Sequence, residues 1–144
     1  MIDIIKGILY KLNFRYECQE EDTMLTVIMV TLPFLDRHND HIQFYITDIE
    51  DQTFKMSDDG YIGEEFGLKE SLVIQTVTAQ LLASELNVVV KDREGRWEIC
   101  CGFEKDLIPD IARSIETRIL QYVQALIVFE GLLCLPIQQR AKSM

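Results

Sequence analysis

Two carboxylates and both histidines of this chain fall within six residues, as Asp36, His38, Asp40 and His41. Carboxylate oxygens and imidazole nitrogens side by side can bind a divalent metal or pass protons. A second acidic turn, Ser57-Asp58-Asp59-Gly60, follows further along. Asp36–Asp40 should close the loop between a second and a third strand, and Asp58-Asp59 should follow a fourth. If those strands are antiparallel neighbours, both turns come to one sheet end, and Asp58 and Asp59 could complete a site with Asp36, Asp40 and His41. Tyr45 should share a strand face with His41, which adds it to the candidate binding set. The plainer account needs no ligand, because Asp, Asn and Gly are turn formers whose side chains bond nearby amides. No residue is assigned a catalytic role, and no metal or other cofactor is expected.

Other chemistries have weaker support. Glu64 and Glu65, with Lys69 downstream, suggest an acidic–lysine nuclease, but no Glu-x-Lys occurs in the chain. Glu98 is followed by Ile99-Cys100. The four cysteines, Cys18, Cys100, Cys101 and Cys134, match no zinc spacing and include no Cys-x-x-Cys. They read as reduced and mostly buried thiols, with Cys100 and Cys101 on opposite faces of a strand. The glycines are scattered, which excludes a Gly-rich phosphate loop, and there is no Gly-x-Ser-x-Gly elbow. Tyr45, Tyr61, Phe66 and Trp97 could form an aromatic patch, though Trp97 and Phe66 read more simply as core or core-edge residues.

The elements that must position these residues are legible from periodicity. Ile2, Ile5, Leu9 and Leu12 recur at helical spacing, with Asn13 near the end. Phe14–Cys18 reads as an edge strand and Gln19–Asp22 as an acidic turn. Met24–Thr31 reads as a central strand that Pro33 ends, since proline has no amide to donate. Ile42, Phe44 and Ile46 alternate with Gln43, Tyr45 and Thr47, a period-two strand. Thr53–Met56 is a fourth strand, closed by Asp58-Asp59-Gly60. A helical turn at Glu64–Gly67 and a helix over about Glu70–Leu86 follow, the latter stopped by Asn87. Val88–Asp92 and Arg96–Cys101 form a hairpin. A long helix runs from about Lys105 to Leu133, with Pro109 in its first turn. Its stripe is Ile108, Ile111, Ile115, Ile119, Tyr122, Leu126, Phe129 and Leu133, and Val123, Ile127 and Val128 lie off it. A helix apolar nearly all round must be covered, by the rest of the chain or by a second copy. This order implies one α+β domain over residues 1–144: a mostly antiparallel sheet, helices packed on one side, and a long C-terminal helix.

Composition narrows the class. A hydrophobic content of 48% supports a packed core. The net charge of −10 opposes direct nucleic-acid binding and an anionic membrane surface. Its plain reading is solubility, and its sharper one a negative patch that meets a basic partner or imitates a nucleic-acid backbone. The apolar run Ala125–Leu135 is too short and interrupted for a membrane span. Met1-Ile2-Asp3-Ile4 lacks the basic start of a signal peptide, so a cytoplasmic location is expected.

The segment Pro33-Phe34-x-Asp36-x-x-x-Asp40-His41-Ile42-x-x-Tyr45-Ile46, followed by Ser57-Asp58-Asp59-Gly60, resembles a domain-of-unknown-function family of short prokaryotic and phage proteins. The resemblance covers roughly Met24 to Leu86. Leu32 stands where Thr is common and Met56 where Leu is. It implies a cytoplasmic prokaryotic or phage origin and transfers no catalytic residue. The expectation is a non-enzymatic interaction protein of phage or mobile-element type, inhibitor-like. Its acidic surface would engage a basic, nucleic-acid-binding host protein, and its terminal helix would pair two copies. A metal-dependent hydrolase or nuclease using Asp36, Asp40, His41, Asp58 and Asp59 is the alternative. A secretion-type chaperone, also small, acidic and α+β, is the third.

Overall fold

Asn13 and Asn87 stop two helices in the same way. In α1 (Ile2–Lys11) the Phe14 amide donates to the Leu9 carbonyl and the Asn13 amide to Tyr10, at 3.0 and 3.1 Å. At the end of α2 (residues 80–85) the Val88 amide donates to Ala83 and Asn87 to Ser84. Both asparagines are left-handed, at φ 60 and 58. That is the Schellman arrangement, and asparagine tolerates its left-handed residue. The computed structural model describes residues 1–20, 26–63, 80–93, 96–105 and 109–133. The expected turn at Glu64–Gly67, most of the Glu70–Leu86 helix, Phe66, Cys134, Ile108 and the remainder of the acidic turn at Glu21-Asp22 lie outside these residues.

The strands are β1 (Arg15–Glu20), β2 (Thr26–Leu35), β3 (His41–Thr47), β4 (Thr53–Ser57), β5 (Val89–Arg93) and β6 (Arg96–Glu104). They form one six-stranded sheet in the order β1-β2-β3-β4-β6-β5. β1 pairs with β2, β2 with β3 and β5 with β6, each antiparallel. The fold is α+β, as the periodicity implied. Alternation decides which side chains enter the core. Ile28, Val30 and Leu32 of β2 and Ile42, Phe44 and Ile46 of β3 are buried. Register sets Val30 against Phe44 and Ile28 against Ile46. The intervening Met29, Thr31, Gln43 and Tyr45 are half-buried.

Several strand boundaries differ from the sequence reading, β6 for one running on to Glu104 rather than ending at Cys101. Gln19 and Glu20 belong to β1 rather than to a turn. Pro33 does not end β2, which runs on to Leu35. The β2–β3 register shifts between Thr31 and Leu35, so Pro33 sits in an irregularity where the ladder does not require its missing amide.

The long helix, α3 (Ile111–Leu133), starts later than expected. Asp110 caps it: Asp110 Oδ1 accepts from the Arg113 amide at 3.1 Å, and the Asp110 carbonyl accepts from Ser114 at 3.2 Å. Pro109 therefore precedes the cap rather than occupying the first turn, because the aspartate side chain satisfies an amide that proline cannot. Ile115, Ile119, Tyr122, Leu126, Phe129 and Leu133 are buried as expected. Among the described residues no helix is long and apolar enough to cross a membrane.

The chain divides into two compact units, Met1–Met56 with Gly102–Leu120 and Ser57–Cys101 with Gln121–Met144. In the first, the Phe54 and Phe103 rings stack at 4.9 Å, and Lys11 pairs with Glu116 at 2.9 Å. In the second, Tyr122 donates from its hydroxyl to the Ile99 carbonyl at 2.6 Å.

Candidate functional site

The first acidic turn is built by its own backbone. The Asp36 amide donates to the Asp40 carbonyl at 2.7 Å and the Asn39 amide to the Asp36 carbonyl at 3.1 Å. Asp36 itself is buried, and its Oδ1 accepts from the amides of His38 and Asp40 at 2.7 and 3.0 Å. This is an Asx-type turn, and left-handed Asn39 completes it at φ 62. His41 Nδ1 lies 2.8 Å from the Leu32 carbonyl, so it donates there and fixes the imidazole tautomer. Asp40 and His38 are exposed, and Tyr45 sits half-buried opposite Met29. Phe34 and Leu35 are exposed just before the turn.

The second acidic turn is organised around one buried carboxylate. Asp58 Oδ1 accepts from the amides of Gly60 and Ile99 at 3.1 and 2.9 Å. Its Oδ2 accepts from Ile62 and Gly63, both at 2.8 Å. The Asp58 amide in turn donates to the Ile99 carbonyl at 3.3 Å, so Asp58 is joined to β6 in both directions. Asp59 and Gly60 are successive left-handed residues at φ 52 and 84, and the Tyr61 amide donates to the Asp58 carbonyl. That is the pattern of a type I′ turn, for which an Asp-Gly pair is suited. Ser57 Oγ donates to buried Glu98 at 2.8 Å and accepts from the exposed Asp59 amide at 3.0 Å. Burial pushes the Asp58 carboxyl up from its ordinary value, against the four amide bonds, which pull it down.

The structure thus brings Asp36 and Asp40 together in the first unit and Asp58 and Asp59 in the second. Among the described residues no group of three or more His, Cys, Asp or Glu side chains is arranged to hold a metal ion. Among the described residues, Cys18, Cys100 and Cys101 are not joined in a disulfide. Of these, Cys101 is buried and the other two are half-exposed: Cys100 lies opposite exposed Val89, whereas Cys18, opposite buried Ile28, shares the core face but sits on the edge strand β1. Trp97 is likewise half-buried at the core edge, and Tyr61 is exposed.

Sequence reasoning missed Gly63, Ile99 and Glu98 as partners of the second turn, and Tyr122 as a partner of Ile99. A Cβ on Gly63 would lie 2.7 Å from the Trp97 carbonyl oxygen and 2.8 Å from the Glu98 Cα. The signal available was the spacing Asp58, Gly60, Gly63: glycines two and five residues after an aspartate let the backbone wrap its carboxylate.

These two turns lie within a recognised family. The family model described as "Domain of unknown function DUF1828" matches residues 32–121. The chain belongs to that family. Among curated proteins, none matches. A crystal structure of an uncharacterized protein from Methanothermobacter thermautotrophicus has a similar fold, with a TM-score of 0.59 at 13% identity over 96% of each chain. At that identity the similarity bears on the fold alone. Within the DUF1828 match, both aspartate turns are load points of the backbone: Asp36 holds the β2–β3 turn, and Asp58 fastens the turn after β4 onto β6.

Proposed function

We propose that this DUF1828 protein is a non-enzymatic interaction protein of phage or mobile-element type. It acts in the cytoplasm, as a homodimer, by presenting an acidic surface to a basic, nucleic-acid-binding host protein. The observation that carries this reading is where the carboxylates go. Asp36 Oδ1 and both oxygens of Asp58 are engaged by backbone amides, which is architectural work. The charge that can meet a partner is on exposed side chains, including Asp40, Glu50 and Asp51, in a chain of net charge −10. Such a surface steers encounters with a cationic partner and repels nucleic acid.

The test is titration with a purified basic DNA-binding protein at low and high salt. Binding should weaken by about tenfold or more between 50 and 500 mM salt, as expected for screened surface charge. Association that is absent, or indifferent to salt, removes the basis for this reading. Calorimetric titration with magnesium, manganese and zinc distinguishes the hydrolase alternative. A binding heat that disappears in Asp40→Ala would favour the metal site instead.

A further inference from the structure

The solvent side of α3 carries a feature that the acidic surface does not use. Its buried stripe, centred on Tyr122, faces the chain's own core. Directly opposite run Arg113, Thr117, Leu120, Gln124, Ile127 and Gly131, all exposed. Their spacing alternates four and three residues, which is the seam of a helix that packs on another helix. Leu120 is 42% and Ile127 39% exposed, large apolar side chains left open to water. Val128, half-buried, flanks them. A Cβ on Gly131 would meet nothing within 4 Å, so among the described residues the helix is open there.

Charge identifies the occupant. Between Arg118 and Glu130 the helix has no charged residue, in a chain with net charge −10. A basic partner gains nothing from this neutral strip. Two copies of the chain repel elsewhere, but here they can approach without opposing like charges. We infer that the face Thr117–Gly131 of α3 packs antiparallel against the same face of a second copy, about a two-fold axis at Gln124. This rests on the dimer included in the reading above and specifies its interface. With that axis, Thr117 lies opposite Gly131, Leu120 opposite Val128, and Gln121 opposite Ile127. Bulky side chains then meet small or apolar ones, and the two Gln124 amides can bond each other across the axis. A single helix pair is a small contact, so the pairing is a weak, reversible one.

Sedimentation equilibrium across the micromolar range tests this, with wild type, Leu120→Glu and Ile127→Glu. Both substitutions are at exposed positions, so an unchanged thermal melt of dilute protein shows the fold intact. Each should weaken dimerisation by about tenfold or more. Oxidation should cross-link Gln124→Cys as a dimer, whereas Thr117→Cys, which faces Gly131, should not pair with itself; oxidised wild type controls for Cys18 and Cys100. A monomer at all concentrations overturns this inference and the dimer with it, but leaves the salt titration to judge the basic partner alone. A dimer unaffected by either glutamate overturns the α3 face only. Self-cross-linking through Thr117→Cys overturns the antiparallel arrangement.

Discussion

At the scale of single residues, the two signature aspartates are not equivalent. Asp36 Oδ1 serves two amides of one local turn. An asparagine oxygen can serve the same two, so these two bonds survive in Asp36→Asn. Asp58 uses both oxygens, each for two amides. In Asp58→Asn the side-chain NH₂ faces two amide donors with no acceptor between them. Leaving buried donors unpaired should cost about 2–4 kcal/mol, visible as a lowered urea midpoint. An unchanged midpoint in Asp58→Asn would show that the Asp58 cage is not what holds the turn to β6. Tyr122 gives a pH signature in the same unit. Burial, and then the nearby charge of Asp58, hold its hydroxyl well above the ordinary 10.0. The unfolded chain therefore loses this proton before the folded one does. The resulting stability is fully present below pH 10.0 and is lost as pH rises past it, by up to about 1.4 kcal/mol per pH unit. Tyr122→Phe should cost about 1 kcal/mol at neutral pH, through its lost bond to Ile99, and should flatten that alkaline decline. An equally steep decline in the Phe variant would assign it to other groups.

At the scale of elements, what the sequence made legible was local. The period-two pattern of β3 located Ile42, Phe44 and Ile46 in the core, and asparagines at the ends of α1 and α2 marked both stops, because a strand face and a helix cap are set by residues a few positions apart. Pro33 misled because proline excludes a ladder bond but not a strand; an irregular register accommodates it. Pro109 misled because Asp110 beside it caps better. The Asp58 cage was illegible beyond its glycine spacing, since Ile99 is 41 residues away in sequence. Its partner Gly63 makes the clearest test of the β6 docking. The space a side chain would need is filled by backbone of Trp97 and Glu98, which cannot rotate aside as a flexible side chain can. Gly63→Ala should cost roughly 1–3 kcal/mol in chemical denaturation. A neutral result would mean that the turn can lift from β6 without loss.

At the scale of the whole molecule, 24 acidic residues stand against 14 basic ones, and this imbalance is a stability term as well as a recognition term. Lys55 and Asp48 pair at 3.5 Å with both side chains more than half exposed, a geometry that water and ions largely screen. Surface repulsion among the remaining carboxylates therefore opposes the compact state at neutral pH. Added salt shortens the reach of that repulsion from about 30 Å at 0.01 M to about 3 Å at 1 M. The melting temperature should rise with sodium chloride by roughly 2–4 °C, equivalent to about 1 kcal/mol, and level off once the Debye length is shorter than the spacing of surface charges. Chloride is the salt of choice, because sulfate stabilises by exclusion from the surface whatever the charge. Asp51→Lys, at an exposed position, reduces the size of the negative net charge and should reduce the salt response without altering the fold. A melting temperature that is flat or falls with chloride would mean that the carboxylates are already compensated on the folded surface. It would then weaken the acidic-surface reading together with the stability argument, because charge that is neutralised at home has little left to offer a partner.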